Sequence, residues 1–232
     1  MKNVKTSFID FASHYASEEW ILLIKNYLTT KSVKKDERIF NEGDPVTGIY
    51  FINSGKVKVT SRYDLENERI VRLSKAGHLL GHRSFYADKY TISAISLSAA
   101  EISFIPKDIF VKFIKANPDF ALYILEFVIK DLHETEEKMK GIIHDEVIVR
   151  IAKIITMLID SYGYDQTNMK KLQYTLPRSD MANFAGTTYE SVIRNLGKLE
   201  ELKLITLDNK NIIIPNENHL RKFIATSARK KL

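Results

Sequence analysis

Apolar and polar positions change their period several times along the chain. Ser17-Glu18-Glu19 opens a helical pattern whose apolar positions are Trp20, Ile21, Leu23, Ile24 and Leu28, with Ser suited to the cap and the acids to the first turn. From about Val33 the pattern shortens to β-rich runs at 38–40, 48–52 and 56–61, parted by turn residues at 41–45 and 53–55. Lys56-Val57-Lys58-Val59-Thr60 alternates with period two, as a half-buried strand does. Further strands are predicted at 70–73, 92–97 and 100–106, and so many short strands with turns between them indicate an all-β barrel or roll. Asn117-Pro118-Asp119 then starts a long helix reaching about Ile143. Leu125, Val128, Leu132, Thr135, Met139 and Ile142 repeat along it at steps of three and four, an a/d seam, while Phe120, Ile124 and Phe127 form a second stripe able to pack on the roll. Two apolar surfaces suit a dimer helix or a single buried helix of a monomer.

Gly141 to Asp145 reads as a hinge. A helix follows with Val147, Ile148, Ile151, Ile154, Ile155, Leu158 and Ile159 apolar, ending at Tyr162-Gly163, and residues 173–176 read as a short strand. Two short helical patterns then meet at Ala185-Gly186-Thr187, with Met181, Phe184 and Ala185 apolar on the first and Val192, Leu196 and Leu199 on the second. Helices joined by a few residues with Gly are the helix-turn-helix signature; an ordinary helical hairpin packed in a core is the competing reading. Thr188 can cap the second helix and Glu190 sits near its positive end, four residues before Arg194. Thr188, Tyr189, Glu190, Ile193 and Arg194 fall off the apolar face, where a helix of this kind meets base edges in the major groove. Residues 204–207 and 212–214 make a hairpin, a wing, with Lys210 at its tip.

Composition narrows the function. The formal charge is +6 and the pI near 9.2. Residues 145–232 carry 14 Lys and Arg against 10 Asp and Glu, residues 1–144 carry 21 against 19, so the excess leans to the end holding the paired helices. That suits a phosphate backbone. With no cysteine, disulfides, Cys-ligated zinc and iron–sulfur clusters are excluded. No apolar run has the length of a signal peptide or a membrane span, so a soluble cytoplasmic protein without a membrane partner is expected. No nucleophile–base set, metal set or phosphoryl-transfer loop stands out, so no enzyme is expected.

Phe40-Asn41-Glu42-Gly43-Asp44-Pro45, then Gly48-Ile49-Tyr50-Phe51-Ile52 and Ser54-Gly55-Lys56-Val57-Lys58-Val59, resemble the opening of the cyclic-nucleotide-binding β-roll, and Gly77-His78-Leu79-Leu80-Gly81 resembles its later Gly-rich turn. With the paired helices at the C-terminus, the chain resembles the CRP/FNR superfamily of bacterial transcription regulators along nearly its whole length. The resemblance implies an α+β fold with an N-terminal double-stranded β-helix (a jelly-roll-like β-roll), a long dimerisation helix and a C-terminal winged helix-turn-helix. The segments would be a sensor roll at 1–116, helix and hinge at 117–144 and a DNA-binding domain at 145–232. It implies a parallel homodimer, double-stranded DNA and RNA polymerase as partners, and an effector at the roll. Glu190 and Arg194 fall on two base-reading positions, with Ile193 either near a thymine methyl or packed. Tyr189 stands where many relatives have Arg. Arg178, Ser179 and Lys198, with Lys210 of the wing, are candidates for phosphate.

At the roll the chain departs from nucleotide-binding members, which the family equips with a Glu for the ribose and an Arg for the cyclic phosphate. After Gly81 comes His82 where Glu is expected, and Tyr90-Thr91 corresponds to the Arg-Ser pair, so the guanidinium is missing. Arg83 stands close by, and Thr135 falls where the family's long helix supplies a hydroxyl, followed by the anion Glu136. These departures count against cyclic AMP. His78 and His82 straddle a turn and not a helix face, which counts against haem. Phe85, Tyr86 and Tyr90 would either line a pocket for a small organic effector or be core; a regulator with no ligand is another reading. From a different class comes a ligand-binding or scaffold module whose winged helix mediates protein contacts.

Overall fold

The computed structural model describes residues 7–63 and 68–229, with the backbone alone at Ile142, Ala228 and Arg229. In chain order the elements are α1 (Phe8–Ala12), α2 (Glu18–Tyr27), β1 (Thr29–Val33), β2 (Arg38–Phe40), β3 (Gly48–Ser54), β4 (Lys56–Arg62), β5 (Glu68–Lys75) and β6 (Leu79–Leu80). A 3₁₀ turn at His82–Ser84 leads to β7 (Ser93–Ser96), β8 (Ala100–Pro106), α3 (Lys107–Ala116) and α4 (Pro118–His144). There follow α5 (Val147–Tyr162), α6 (Arg178–Ala185), α7 (Tyr189–Glu201), β9 (Thr206–Asp208), β10 (Asn211–Ile213) and α8 (Glu217–Arg229). The chain divides into two compact units, 1–135 and 136–232. The division falls inside α4, not at either end of it.

The first unit is a roll of two antiparallel four-stranded sheets, ordered β1-β8-β3-β6 and β2-β7-β4-β5. The unbroken apolar run of β3 is explained by burial on both faces. Ile49 and Phe51 point into a core shared with α1, α2, α3 and α4, and Ile52 points into a second core with Val57, Val59, Leu80 and Ile102. Phe120 of α4 is fully buried in the first core, and Tyr123, Ile124 and Phe127 pack against it, so the expected second stripe does cover the roll. The small helix α1 is capped by Ser7, whose Oγ accepts from the Asp10 N–H at 3.0 Å.

In the second unit α5 is buried along Ile151, Ala152, Ile155 and Leu158. The hinge expected at 141–145 narrows to its end: α4 stays helical to His144, and the break comes at Asp145-Glu146. Gly141 is a site of close approach instead. A Cβ there would sit 2.9 Å from Asp145 Oδ2, which itself pairs with Lys153 Nζ at 2.7 Å.

The strand expected at 173–176 does not form. Its neighbours 171–173 make the backbone links, Leu172 N–H to Ile212 O at 3.0 Å and Gln173 N–H to Gly163 O at 3.0 Å, and Pro177 lies beyond. The first wing strand also starts late, at Thr206. Lys203 adopts φ 55°, and the Leu204 N–H closes α7 on Leu199 O at 3.0 Å, so Leu204 and Ile205 are spent as buried anchors. The basic tail residues Lys230 and Lys231 lie outside the described residues.

Candidate functional site

Two sites emerge, one in each unit. In the second, α6 buries Met181, Ala182, Phe184 and Ala185 and ends at Gly186 with φ 62° and ψ 50°, a left-handed conformation that costs a Cβ-bearing residue energy. The Thr187 N–H reaches Ala182 O at 3.0 Å and the Gly186 N–H reaches Asn183 O at 3.3 Å, the paired bonds of a Schellman turn. Arg150 of α5 completes the closure, its Nη1 donating to Ala185 O at 2.7 Å and to Gly186 O at 3.3 Å. Sequence reasoning missed Arg150; its signal is a cation beside the buried Val149 and Ile151 in a largely apolar helix.

Thr188 then caps α7, its Oγ1 accepting from the Ser191 N–H at 3.2 Å. Val192, Leu196 and Leu199 are buried beneath, as the periodicity requires, with Ser191 and Asn195. Thr188, Tyr189, Glu190, Ile193, Arg194 and Lys198 are exposed. Ile193 is 46% exposed. Among the described residues no ion pair joins Glu190 to Arg194, so both heads are available. Ser179 is exposed at the start of α6, and Arg178 is half-buried there, which pulls its guanidinium pKa down from the ordinary value. Lys210 is exposed in the wing's turn, beside Asn209 at φ 54°.

In the first unit the site lies between the roll and α4. Gly81, at φ 81°, leads into the 3₁₀ turn carrying His82 and Arg83, and Arg72 rises from β5. All three converge on one carboxylate, Asp131 of α4, 5% exposed. Arg72 Nη1 is 2.9 Å from Oδ1; His82 Nε2 and Arg83 Nε are 3.1 and 2.7 Å from Oδ2. Arg83 Nη2 also donates to Thr135 Oγ1 at 2.7 Å, and that hydroxyl donates to Asp131 O at 2.8 Å.

Burial raises the Asp131 pKa, but His82, Arg83 and Arg72 outweigh it and hold the carboxyl far below the usual carboxylate range. Burial lowers the His82 pKa, which the bond to Asp131 only partly offsets, so the ring is neutral at pH 7 and donates its Nε2–H. Phe127 sets its ring edge-on to both His78 and His82, at 5.8 and 5.0 Å between centroids.

Two expected pocket residues stand apart from this cluster. Tyr90 is core: it stacks on Phe40 at 4.3 Å, and its hydroxyl donates to Gly48 O at 2.7 Å. Thr91 acts one step back, its N–H donating to Ser84 Oγ at 2.9 Å and so holding the turn. Tyr86 is 95% exposed and lines nothing, while Phe85 packs on Phe110. Arg72 and Asp131 were missed. The legible signal for Asp131 is its place on the stripe Phe120, Ile124, Phe127, Thr135, a lone acid on a face otherwise packed against the roll.

Comparison with known proteins finds a family match in each unit. The cyclic nucleotide-binding domain family matches residues 30–117 and the Crp-like helix-turn-helix domain family matches 149–223. The chain belongs to the CRP/FNR superfamily. Within it, the chain is 26% identical over 199 residues to electron transport regulator A of Shewanella oneidensis, covering 86% of this chain and 79% of that one. It is 26% identical over 200 residues to the anaerobic regulatory protein of Haemophilus influenzae, covering 86% and 78%. Among solved structures, FixK2 from Bradyrhizobium japonicum superposes with a TM-score of 0.74 at 18% identity, covering 84% of this chain and 96% of that one, a likeness of fold. The α+β architecture read from the CRP/FNR motifs, roll first and helix-turn-helix last, is the one observed.

Proposed function

We propose that this CRP/FNR chain is a sequence-specific transcription regulator that binds double-stranded DNA as a homodimer. The observation that carries the reading is the outer face of α7. Tyr189, Glu190, Ile193, Arg194 and Lys198 stand exposed together on a helix fixed at its start by the Thr188 cap and by Arg150 beneath the turn. Arg194 is suited to guanine O6 and N7 and Glu190 to cytosine N4; Arg178, Ser179 and Lys198, with Lys210 of the wing, meet phosphates and set register. Thr188 at the helix start and Tyr189 in place of a family Arg border the reading face.

The dimer reading rests on α4. Leu122, Leu125, Ile129, Leu132, Met139 and Ile143 are exposed, and with Glu136 they repeat at alternating steps of three and four. It shares Leu125, Leu132 and Met139 with the seam read from the sequence, whose Thr135 bonds Arg83 and whose Ile142 side chain lies outside the described residues. A parallel pair of such helices presents two copies of α7 to a pseudo-palindromic site with half-sites about one helical turn apart. RNA polymerase is the further partner and the cytoplasm the place of action. No helix among the described residues is long and apolar enough to cross a membrane.

Selection of bound DNA fragments followed by gel shifts over a salt series tests this. A selected pseudo-palindrome bound far more tightly than random DNA, with affinity falling as salt rises, supports it. No selected sequence and no salt slope would overturn it in favour of a module whose winged helix contacts protein.

A further inference from the structure

We infer that Asp131 is the resident ligand of an anion receptor on the roll: Arg72, His82 and Arg83 form the receptor, and the chain fills it with its own carboxylate. The donors come from two separate segments, β5 and the turn after Gly81, yet they divide the two oxygens of one carboxylate between them. Arg72 is 8% exposed and Arg83 is near enough to repel it electrostatically, so without an anion the roll would bury an uncompensated charge. The need runs the other way too. Phe120, Ile124 and Phe127 bring α4 onto the roll through an apolar face, where a carboxylate is costly unless charged donors meet it.

Thr135, one turn on, binds Arg83 Nη2 and keeps Nε aimed at Oδ2. Each is therefore incomplete without the other: the receptor lacks its anion and the carboxylate its cations. The ligand class is a carboxylate, and α4 is latched to the roll with no anion drawn from solution. This concerns how α4 is held and does not depend on the DNA-binding reading.

The test uses the full chain and a thermal readout that involves no DNA. Asp131→Ala removes the carboxylate and leaves a space the size of formate beside intact donors. A three-atom ligand binds no tighter than about millimolar, so sodium formate is titrated to about 100 mM against sodium chloride of equal ionic strength, with inorganic phosphate as a second probe. The expected result is a lower unfolding midpoint for D131A, restored saturably by formate by about 3–6 °C at ten times its Kd, while the wild-type midpoint follows chloride alone. A wild-type chain stabilised beyond chloride by formate as strongly as the variant would overturn the inference, since its receptor would then be open. So would a variant that responds to formate no differently from chloride. Phosphate, which exceeds the formate-sized space and stabilises folded chains in general, should act alike on variant and wild type. Should D131A not fold in chloride, Asp131→Ser, which keeps a small polar side chain and leaves most of the carboxylate's space open, is read by the same two criteria with formate.

Discussion

Arg150 and Ala185 lie on different helices, and the guanidinium of one is bonded to the carbonyl of the other at 2.7 Å. This bond neutralises carbonyls that the end of α6 leaves without an intrahelical partner. Arg150→Met keeps most of the volume and removes the charged donor. It should cost about 1.5–3 kcal/mol in urea unfolding and weaken DNA binding with the outer face of α7 untouched. Wild-type stability in that variant would show the turn to be held by Gly186 and Thr187 alone.

Gly186→Ala isolates the backbone contribution at the same turn. The nearest atom to the added Cβ is Arg150 Nη1 at 3.6 Å, an ordinary contact, so only the left-handed conformation resists. The expected loss is about 1–2 kcal/mol, with the fold retained.

On the reading helix, Arg194→Ala should cost roughly 1–3 kcal/mol on the selected site and relax preference at one base pair. Lys210→Ala should weaken all sequences alike and lower the salt slope by about 1. Identical footprints and affinities for Arg194→Ala and wild type would remove Arg194 from the base-reading set.

For the dimer, Ile129→Lys places a charge in the exposed seam of α4, whereas Glu134→Lys alters an exposed position off it. Sedimentation velocity should give monomer for the first and dimer for the second. The two behaving alike would count against this face.

Acid should loosen the roll before its carboxylates titrate. Burial, with Arg72, Lys75 and Lys130 nearby and Asp131 opposing them, pushes the His78 pKa from 6.5 down to about 4. The unfolded chain therefore takes up that proton first, and stability present above pH 6.5 is lost as pH falls towards about 4. The loss amounts to about 3 kcal/mol for this ring. His82, shifted in the same direction, adds to it. Asp131 acts later: its carboxylate pKa is depressed, so its contribution survives to below the ordinary carboxylate range. His78→Gln should flatten the slope of midpoint against pH between 6.5 and 4.

The sequence carried the architecture well where a period or a cap is local. Thr188 bonds Ser191, β4 alternates, and Phe120, Ile124 and Phe127 face the roll. It carried less where contacts are distant. Arg72 and Asp131 are 59 positions apart in the chain and nothing in either neighbourhood announces the other. On α4, Thr135 fits a heptad by spacing, yet its hydroxyl accepts from Arg83, 52 residues earlier. Tyr90 aligned with a ligand-binding position, yet its ring fits Phe40 and its hydroxyl fits Gly48 O, a match visible only after folding.

Asp131 shares a covalent chain with the groups that hold it, and this sets the terms on which any free metabolite must compete. A tethered partner acts at an effective concentration fixed by geometry, millimolar or above even for flexible tethers. Here the tether is a helix already packed on the roll by Phe120 and Phe127. A dissolved anion must match that effective concentration before it can displace the carboxylate. On that reading the latch stays shut as the cell's anion pools rise and fall.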